Sequence, residues 1–320
     1  MAPYSTLQQG RLSRMQTTST ILMIRPARFL SNPQTSPSNT FQKSDIDHQE
    51  AQQNALAEFD AYAGELRRCG VDVLVIDDTV EPHTPDSIFP NNWISLHADG
   101  KVLLYPMEAP NRRLERNNKV LEKITEAFAV EEVIDLSGFE RVGQYHEGTG
   151  TMIFDHNQKM AYVCFSSRSS EAVMKAVSET IGYQALWFHS VDRHGKPIYH
   201  TNVMMCVGKT LAVVCLESIR DRNERTALVQ ALTASGKEII DISYDQLEHF
   251  AGNMLELSSR DGEAVFALSR QAWSSLTPEQ QTAISSYARV AQAPIDTIER
   301  LGGGGARCMI AEIFLPRRAC

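Results

Sequence analysis

The chain has 320 residues, of which 42% are hydrophobic and 22% charged, a composition typical of an ordinary globular protein. Its formal charge is −8 and its pI about 5.6, and no Lys/Arg run stands out, so nucleic acid is not expected as a partner. No apolar run approaches the roughly 20 residues that span a bilayer, so we expect no membrane partner.

The cysteine and histidine spacings argue against a metal site. The six cysteines contain no CxxC pair, and His189 and His194 show no ligand spacing. Cys164, Cys206 and Cys215 lie in apolar runs that are typical of strands, where a free thiol usually belongs to the core. This usage indicates a reducing compartment, and we predict a cytoplasmic location without metal or cofactor.

The first twenty residues contain two arginines, no acid and many Ser, Thr and Gln. This composition fits either a transit peptide or an uncleaved disordered tail, and we predict the tail. No apolar h-region is present, which argues against a secretion signal. We therefore predict a disordered tail over residues 1–20 and one domain over residues 21–320.

The elements after the tail begin with a short strand at 21–26 that stops at a proline. A loop rich in Ser, Asn and Pro follows at 31–40 and is long enough to act as a lid. Helical spacing of apolar residues predicts a helix at 45–69, and a strand follows at 71–76.

Hairpins then alternate with helices and strands. The hairpins, which turn at Gly, Asn or Asp residues, are expected at 92–106, 150–165, 202–216 and 253–268. The helices behind them are expected at 111–128, 170–181, 223–234 and 278–288, and the further strands at 133–136, 185–189 and 238–242.

The starts of these hairpins recur at a steady period. They fall at 92, 150, 202, 253 and 308, with spacings of 58, 52, 51 and 55 residues. Such a period is the signature of one supersecondary unit used repeatedly. We therefore predict an α/β fold of five ββαβ units in a closed ring, a five-bladed propeller in which the two ends of the chain share one unit.

A glycine run near the end of the sequence is followed by a cysteine at the start of an apolar strand. Gly302 to Gly305 allow a tight backbone and close approach of a ligand, and Cys308 follows them. Taken alone, this stretch fits a nucleophile behind a pliable loop or a small buried core thiol.

Small or polar residues occupy the start of every unit, and in a ring these starts converge on one axis. The residues in this register are Asp86, Asn92, Glu147, His200, Asn202, Asn253 and Cys308. A Cys, a His and a carboxylate that meet in space are what nucleophilic catalysis requires.

With this repeat and this Glu/His/Cys order, the sequence resembles the pentein, or guanidino-group-modifying, superfamily. The superfamily includes arginine deiminase, dimethylarginine dimethylaminohydrolase and the amidinotransferases. The resemblance implies that Cys308 is the nucleophile and His200 the proton shuttle. It also implies that Glu147 holds substrate and orients the histidine, and that Asp86 faces the reacting group of the substrate.

Arginines that hold the α-carboxylate of the substrate are also implied by the resemblance. Arg168 matches one of them, and either Arg112 or Arg113 matches the other. An arginine-rich helix start is usually plain surface, so a surface position is the alternative for Arg112 and Arg113.

Asparagines replace acids at two points of the superfamily pattern. Asn91 and Asn92 stand where dimethylargininases carry a Glu-Asp pair, and Asn202 stands where arginine deiminases carry an aspartate. Carboxylates suit a guanidinium, whereas an amide both donates and accepts and so suits a neutral ureido group. The alternative is that these asparagines are only turn residues.

The motif Phe89-Pro90-Asn91-Asn92-Trp93 looks like that of the citrulline-utilisation branch of the superfamily. This resemblance implies a cofactor-independent citrulline hydrolase that releases ornithine, ammonia and carbon dioxide through a covalent Cys adduct. The alternatives are an arginine deiminase, a dimethylarginine hydrolase and a non-catalytic member of the fold. The expected partner is a small amino-acid substrate, citrulline or arginine-like, and a homo-oligomer is left open.

Overall fold

Three-stranded sheets are the repeating element of this fold. The structure, a computed structural model, describes residues 15–43 and 48–318, and in these ranges fifteen strands form five sheets. The strands are β1 (Thr20–Arg25), β2 (Asp72–Asp77), β3 (Ile94–Leu96), β4 (Lys101–Leu104), β5 (Glu132–Asp135), β6 (Met152–Asp155), β7 (Met160–Cys164), β8 (Gln184–Phe188), β9 (Met205–Val207), β10 (Leu211–Val214), β11 (Glu238–Asp241), β12 (Leu255–Ser258), β13 (Ala264–Ser269), β14 (Arg289–Ala293) and β15 (Ala311–Glu312).

Each sheet has a middle strand that pairs antiparallel with one neighbour and parallel with the other. β4 lies between β3 and β5, β7 between β6 and β8, β10 between β9 and β11, and β13 between β12 and β14. In the fifth sheet β1 pairs antiparallel with β15 and parallel with β2. The two ends of the chain therefore share one sheet, as the repeat predicted.

Helices connect the middle strand of each sheet to its parallel neighbour, a crossover that parallel strands require. In chain order the helices are α1 (His48–Arg68), α2 (Asn118–Ala127), α3 (Gly148–Thr151), α4 (Glu171–Ile181), α5 (Thr201–Met204), α6 (Arg222–Ala234), α7 (Tyr244–Glu248), α8 (Arg270–Ser275), α9 (Pro278–Tyr287) and α10 (Asp296–Gly302). The crossovers contain α1, α2, α4, α6, α8 and α9, whereas the short helices α3, α5, α7 and α10 lie between one sheet and the next. The result is a single mixed α/β domain with a propeller-like arrangement of its sheets. Closure of the five sheets into a ring stays a prediction.

The packing of α4 shows how the sequence produces one unit. Ser170 caps the helix by accepting the N–H of Val173, and Gly182 ends it at a φ of 72°. Val173 and Val177 lie one helical turn apart, are fully buried and join the core cluster that contains β6 and β7. Burying such a side chain stabilises the fold by about 1.5–3 kcal/mol.

The helix predicted at 111–128 is broken in two. A 3-10 turn spans Pro110–Glu115, and α2 begins only at Asn118 after Asn117 caps it. The break has a physical cause, because the side chain of Arg112 turns inward to buried acids instead of lying on a helix surface. The sequence analysis predicted no helix or strand at the positions of β14, α8 and α10.

The predicted disordered tail ends earlier than expected. Residues 1–14 lie outside the described part of the chain, but Gln16 is buried and bonds to the backbone of two units. Its Nε2 donates to the carbonyls of Phe154 and Val207, and its Oε1 accepts the N–H of His156. Residues 16–20 therefore belong to the folded domain, because these buried polar contacts fix the backbone.

One further prediction concerns residues outside the described ranges, because the first turn of the helix predicted at 45–69 lies partly in residues 44–47. No helix in the part of the chain that the structure describes is long and apolar enough to cross a membrane.

Candidate active site

Short helical turns place the candidate residues at the start of four units. Glu147 immediately precedes α3, and His200 immediately precedes α5. Asn92 ends a 3-10 turn, Pro90–Asn92, and Cys308 lies inside another, Ala306–Met309. The cysteine is therefore held in a turn before β15 and not in the strand itself.

Two glycines allow these turns to approach one another. Gly148 has a φ of 48°, a left-handed conformation that other residues rarely adopt. A Cβ atom on Gly150 would lie 2.5 Å from Nδ2 of Asn92 and 2.9 Å from Nδ1 of His200. The Gly-Thr-Gly segment after Glu147 therefore lets the Asn92 amide and the His200 ring come close to the same backbone.

A cavity lies where these turns meet. It is lined by Thr35, Asn39, Asp86, Phe89, Asn92, Arg112, Arg168, Tyr199, His200, Gly302, Gly303, Gly304 and Cys308. The lining joins the nucleophile candidate, the histidine, one carboxylate and two arginines that are far apart in sequence. Such a concave site with convergent polar groups is the expected form of a small-molecule site.

The sulfur of Cys308 is held by two amides. The side chain is 3% exposed, and its Sγ lies 3.2 Å from Nδ2 of Asn202 and 3.3 Å from Nδ2 of Asn253. Burial raises the pKa of Cys308 above its ordinary value, while the hydrogen bonds from Asn253 and Asn202 oppose this rise. The thiol is thus buried but faces two hydrogen-bond donors.

His200 and Glu147 form a buried pair. Nε2 of His200 lies 2.8 Å from Oε2 of Glu147, so Nε2 carries the proton and Nδ1 keeps its lone pair. Burial lowers the pKa of His200 to about 4, although Glu147 opposes this change. Burial alone would raise the pKa of Glu147, but Arg168, His200 and Arg112 together hold it below its usual range. At neutral pH the histidine is therefore a neutral base beside a carboxylate.

Arg112 is the central cation of the site. It makes a two-pronged ion pair with Glu115, at 2.8 and 2.9 Å, and donates from Nη1 to Oδ1 of Asn92 at 2.8 Å. It also lies 3.6 Å from Asp86 and 3.7 Å from Glu147. Burial raises the pKa of Glu115 to about 7 in spite of this arginine.

The loop predicted at 31–40 covers one side of the cavity. Nδ2 of Asn32 donates to Oδ2 of Asp86 at 2.7 Å, and Nδ2 of Asn39 donates to the carbonyl of Gly303 at 3.1 Å. Burial raises the pKa of Asp86, while Arg112 and Asn32 oppose the rise. The loop therefore contacts both Asp86 and Gly303 across the cavity. Oδ1 of Asp86 has no hydrogen-bond partner and stays available as an acceptor.

Arg168 also binds the 31–40 loop. Its guanidinium lies 3.2 Å from Glu147, donates to Oγ of Ser38 at 2.6 Å and lies over the ring of Tyr199. Its Nε lies 3.3 Å from a carboxylate oxygen of Glu108 but has no hydrogen-bond partner. Arg168 therefore has a donor left for a further group.

The structure brings most of the predicted residues together. The cavity is lined by Cys308, His200, Asp86, Asn92, Arg112 and Arg168, with Glu147 and Asn202 in direct contact with lining residues. Asn91 is buried behind Asn92 and accepts a hydrogen bond from it. Arg113 lies outside the cavity, where its guanidinium donates to the carbonyls of Met107 and Glu108.

Sequence reasoning placed Asn253 in the register of the unit starts but assigned it no role, although it occupies the same position in its unit as Asn202. Glu115 was missed as a site residue. Glu115 lies three residues after Arg112, the spacing of an ion pair on one face of a 3-10 turn. The described residues contain no group of three His, Cys, Asp or Glu side chains that would hold a metal ion.

A match to a known protein family covers most of the chain. Residues 25–315 match the family model described as N,N dimethylarginine dimethylhydrolase, eukaryotic. The chain belongs to this family. Membership makes it a hydrolase that acts on C–N bonds, and the matched range includes every candidate site residue. No curated protein matches the chain in sequence.

Solved structures similar to this family member share its fold. The N-terminal domain of ArgZ, an arginine dihydrolase of the ornithine-ammonia cycle in Cyanobacteria, has a TM-score of 0.72 at 15% identity, covering 93% of this chain and 98% of that domain. DDAH from Pseudomonas aeruginosa, complexed with citrulline, has a TM-score of 0.64 at 15% identity, covering 93% of this chain and 100% of that one. A complex of AgrE with L-arginine has a TM-score of 0.73 at 15% identity, and the match covers 93% of this chain and 40% of AgrE.

The family match supports the pentein superfamily that the sequence resemblance indicated, and the solved structures share the fold. At such identities the likeness establishes the fold and leaves the substrate open. Neither the family description nor the solved structures identifies the citrulline-utilisation branch.

Proposed function

We propose that the chain is a cysteine hydrolase that cleaves the ureido group of citrulline to ornithine, ammonia and carbon dioxide. The observation that carries this proposal is the position of Arg112, a buried cation 3.6 Å from Asp86 and 3.7 Å from Glu147. These two acids are the ones on which a cationic substrate group would have to rely. A neutral ureido group makes no such demand.

Charge is the physical reason for this preference. Glu147 is also 3.2 Å from Arg168, so each acid beside the cavity already faces an arginine. Like charges that are brought together in a buried site repel strongly, because little solvent screens them. A substrate guanidinium would add a third cation beside Arg112 and Arg168, whereas a ureido group adds no charge.

Hydrogen-bonding groups near the thiol support the same substrate. A guanidinium offers donors only, whereas a ureido group has a carbonyl acceptor as well as N–H donors. Asn92 lines the cavity and Asn202 contacts the sulfur of Cys308, and each amide both donates and accepts. Oδ1 of Asp86 and Oδ1 of Asn202 have no partner and suit the N–H groups of the substrate.

The first half of the reaction forms a covalent adduct. Neutral His200 accepts the proton of Cys308, and the thiolate attacks the ureido carbon to form a C–S bond. The tetrahedral intermediate collapses when one C–N bond breaks, and protonated His200 gives its proton to the leaving nitrogen. Glu147 stabilises the imidazolium that exists between these two proton transfers.

Water completes the reaction in the second half. Neutral His200 takes a proton from water, which attacks the carbonyl carbon of the thiocarbamate and breaks the C–S bond, and protonated His200 then returns the proton to the thiolate of Cys308. The product is a carbamate, which decomposes to carbon dioxide and an amine. Ornithine, ammonia and carbon dioxide result whichever C–N bond breaks first. Thiolate, imidazole and amides supply each proton and charge, so the proposed reaction uses no cofactor.

A guanidino substrate is the second candidate, and a specific observation favours it. Glu115 holds Arg112 through two hydrogen bonds, so that pair is neutral by itself and leaves Asp86 available to a substrate cation. The family description also names dimethylarginine. Arginine and dimethylarginine are therefore the substrates against which citrulline has to be compared.

Mass-spectrometric products from purified protein test the proposal. Citrulline, arginine and dimethylarginine are each incubated at equal concentration with the wild type and with Cys308→Ser, which serves as the inactive control. We expect ornithine from citrulline at the highest kcat/KM. Citrulline accumulating from arginine or dimethylarginine, with citrulline itself left intact, would overturn the citrulline assignment in favour of the second candidate.

We also propose that the protein works in a reducing, cytoplasmic compartment. The cysteines of the described ranges (Cys69, Cys164, Cys206, Cys215 and Cys308) are buried free thiols, and a catalytic thiol must stay reduced. Fractionation of cells that express a tagged chain tests this location, and recovery from an oxidising compartment would contradict it.

A further inference from the structure

We propose that Asn253 is a catalytic residue that, together with Asn202, stabilises the thiolate of Cys308 through an amide N–H. Nδ2 of Asn253 lies 3.3 Å from the sulfur, which is the reacting atom. This role rests on the proposed function of Cys308 as nucleophile, but it does not depend on which substrate is cleaved. It makes the two amides, and not the histidine alone, responsible for activating the thiol.

The orientation of the Asn253 amide is fixed by its other partners. Oδ1 accepts the backbone N–H of Arg307 at 3.0 Å, and Nδ2 donates its second hydrogen to the carbonyl of Asn202 at 2.8 Å. A main-chain N–H only donates and a main-chain carbonyl only accepts, so the amide cannot be reversed without losing both bonds. The remaining N–H therefore points at the sulfur of Cys308.

Asn202 completes the arrangement from the neighbouring unit. Its Nδ2 lies 3.2 Å from the sulfur, and its own carbonyl holds the Asn253 amide in place. Both side chains are at most 1% exposed. Donors that are held rigidly in a buried site stabilise a developing negative charge far more than the same groups do in water.

A need for such donors follows from the rest of the site. His200 is neutral before the reaction because burial lowers its pKa to about 4. No imidazolium is therefore present at that stage to stabilise a thiolate. Charged and titratable groups around Cys308 are Arg307 on its own turn and Asp86, Arg112, Arg168, Tyr199 and His200 across the cavity. Each arginine is already engaged with acids, and Arg307 pairs with Glu312 at 3.1 Å.

Alkylation of Cys308 as a function of pH tests this role without any substrate. Wild type, Asn253→Asp, Asn253→Ala and Asn202→Asp are treated with iodoacetamide between pH 6 and 10, and the modified peptide is quantified by mass spectrometry. Asn253→Asp keeps the acceptor for the Arg307 N–H but removes the donor to the sulfur. Asn253→Ala removes the donor without adding a charge.

We expect the apparent pKa of Cys308 to rise by at least about one unit in both Asn253 variants, with alkylation at pH 7 at least about tenfold slower. A purely structural role predicts the opposite, because a loosened turn exposes the thiol, lowers its pKa towards the ordinary value and speeds alkylation. An unchanged or lowered pKa in a folded variant would overturn the proposal. Asn202→Asp provides the same measurement if neither Asn253 variant folds.

Kinetics separate this inference from the proposed function. If Cys308→Ser retains turnover, the nucleophile assignment fails first. If Cys308 is essential but the alkylation profile is the same in wild type and Asn253 variants, only the role of Asn253 fails. A folded Asn253→Asp is also expected to lose kcat/KM at neutral pH and to recover part of it as the pH rises.

Discussion

Arg112 donates a hydrogen bond from Nη1 to Oδ1 of Asn92 over 2.8 Å, with both side chains buried. Because a guanidinium only donates, this contact fixes the oxygen of the amide towards Arg112 and leaves its nitrogen as the donor on the other side. The amide of Asn92 is thus oriented by a cation that a substrate guanidinium would have to approach.

Restoring acids at two asparagines is expected to move substrate preference towards arginine. In Asn92→Asp with Asn202→Asp, a guanidinium gains charge-assisted hydrogen bonds of roughly 1.5–3 kcal/mol each. Citrulline instead meets carboxylates that oppose its carbonyl oxygen. We expect the citrulline-to-arginine ratio of kcat/KM to fall by at least about tenfold, which corresponds to about 1.4 kcal/mol.

Comparing two substrates on one protein cancels a general loss of stability to first order. Asn157→Asp, at an exposed hairpin turn, adds a similar charge away from the cavity and serves as the control. A double variant whose ratio is unchanged, or moves towards citrulline, would return these asparagines to the role of turn residues.

Replacing the nucleophile is expected to abolish turnover and leave the fold intact. A hydroxyl ionises far less readily than a thiol, so Cys308→Ser has no comparable nucleophile beside a neutral imidazole. Activity is measured as ornithine release, and folding by the melting temperature. Cys69→Ser, which changes another buried thiol outside the cavity, should stay active, and an active Cys308→Ser would remove the assignment.

Loss of the histidine is expected to slow the reaction by roughly 10²–10⁴-fold, the usual contribution of a positioned acid–base group. His200→Asn keeps a polar side chain next to Glu147 but carries no titratable base. A rate within tenfold of the wild type would mean that His200 is structural.

The pH dependence of the wild type follows from the same residue. His200 acts as a base only when neutral, and burial lowers its pKa to about 4. Activity is therefore expected to hold as the pH falls from 7 and to be lost around pH 4, provided that tryptophan fluorescence shows a folded protein. An acid limb at the ordinary histidine pKa, near 6.5, would contradict the neutral, buried imidazole.

Removing a buried acid of α10 is expected to stabilise the protein at high pH. Burial raises the pKa of Glu299 to about 8 from 4.5, and its Oε1 has no hydrogen-bond partner. Between these two pKa values the folded state binds more protons than the unfolded state, so the wild type loses stability as the pH rises through this range.

Glu299→Gln removes that titration and keeps an acceptor for Gln271, which donates to Oε2 at 3.1 Å. We expect its advantage over the wild type in the free energy of unfolding to grow by at least about 1.4 kcal/mol between pH 5 and 8. Urea unfolding at both pH values measures it, with exposed Glu179→Gln as control. An equal difference at the two pH values would show that Glu299 stays ionised.

Strands and repeats were predictable from the sequence because each hairpin combines apolar runs with a Gly, Asn or Asp turn. The two strands of the hairpin predicted at 92–106 lie at Ile94–Leu96 and Lys101–Leu104, within the expected range. The register of the repeat also indicated which of the distant residues would meet. His200 and Cys308 line one cavity although more than a hundred residues separate them.

What the sequence did not reveal depends on local geometry and tertiary contacts. Arg112 and Arg113 are adjacent and identical in type, and only the 3-10 turn at Pro110–Glu115 decides which one points inward. With three residues per turn, Arg112 shares a face with Glu115, and Arg113 points away from it. The helix α10 was missed because a partner in another helix caps it: Glu58 of α1 accepts the N–H groups of Thr297 and Ile298.

Pairing of β15 with β1 has a consequence for how the enzyme is made. Ile21 lies opposite Glu312, so the strand after Cys308 docks on a strand from the other end of the sequence. Contacts of such high contact order close the longest loops and form slowly. On the ribosome, a nascent chain therefore presents His200 and Glu147 before the sheet that seats the nucleophile exists. Hydrolytic activity therefore requires that the chain be synthesised through β15.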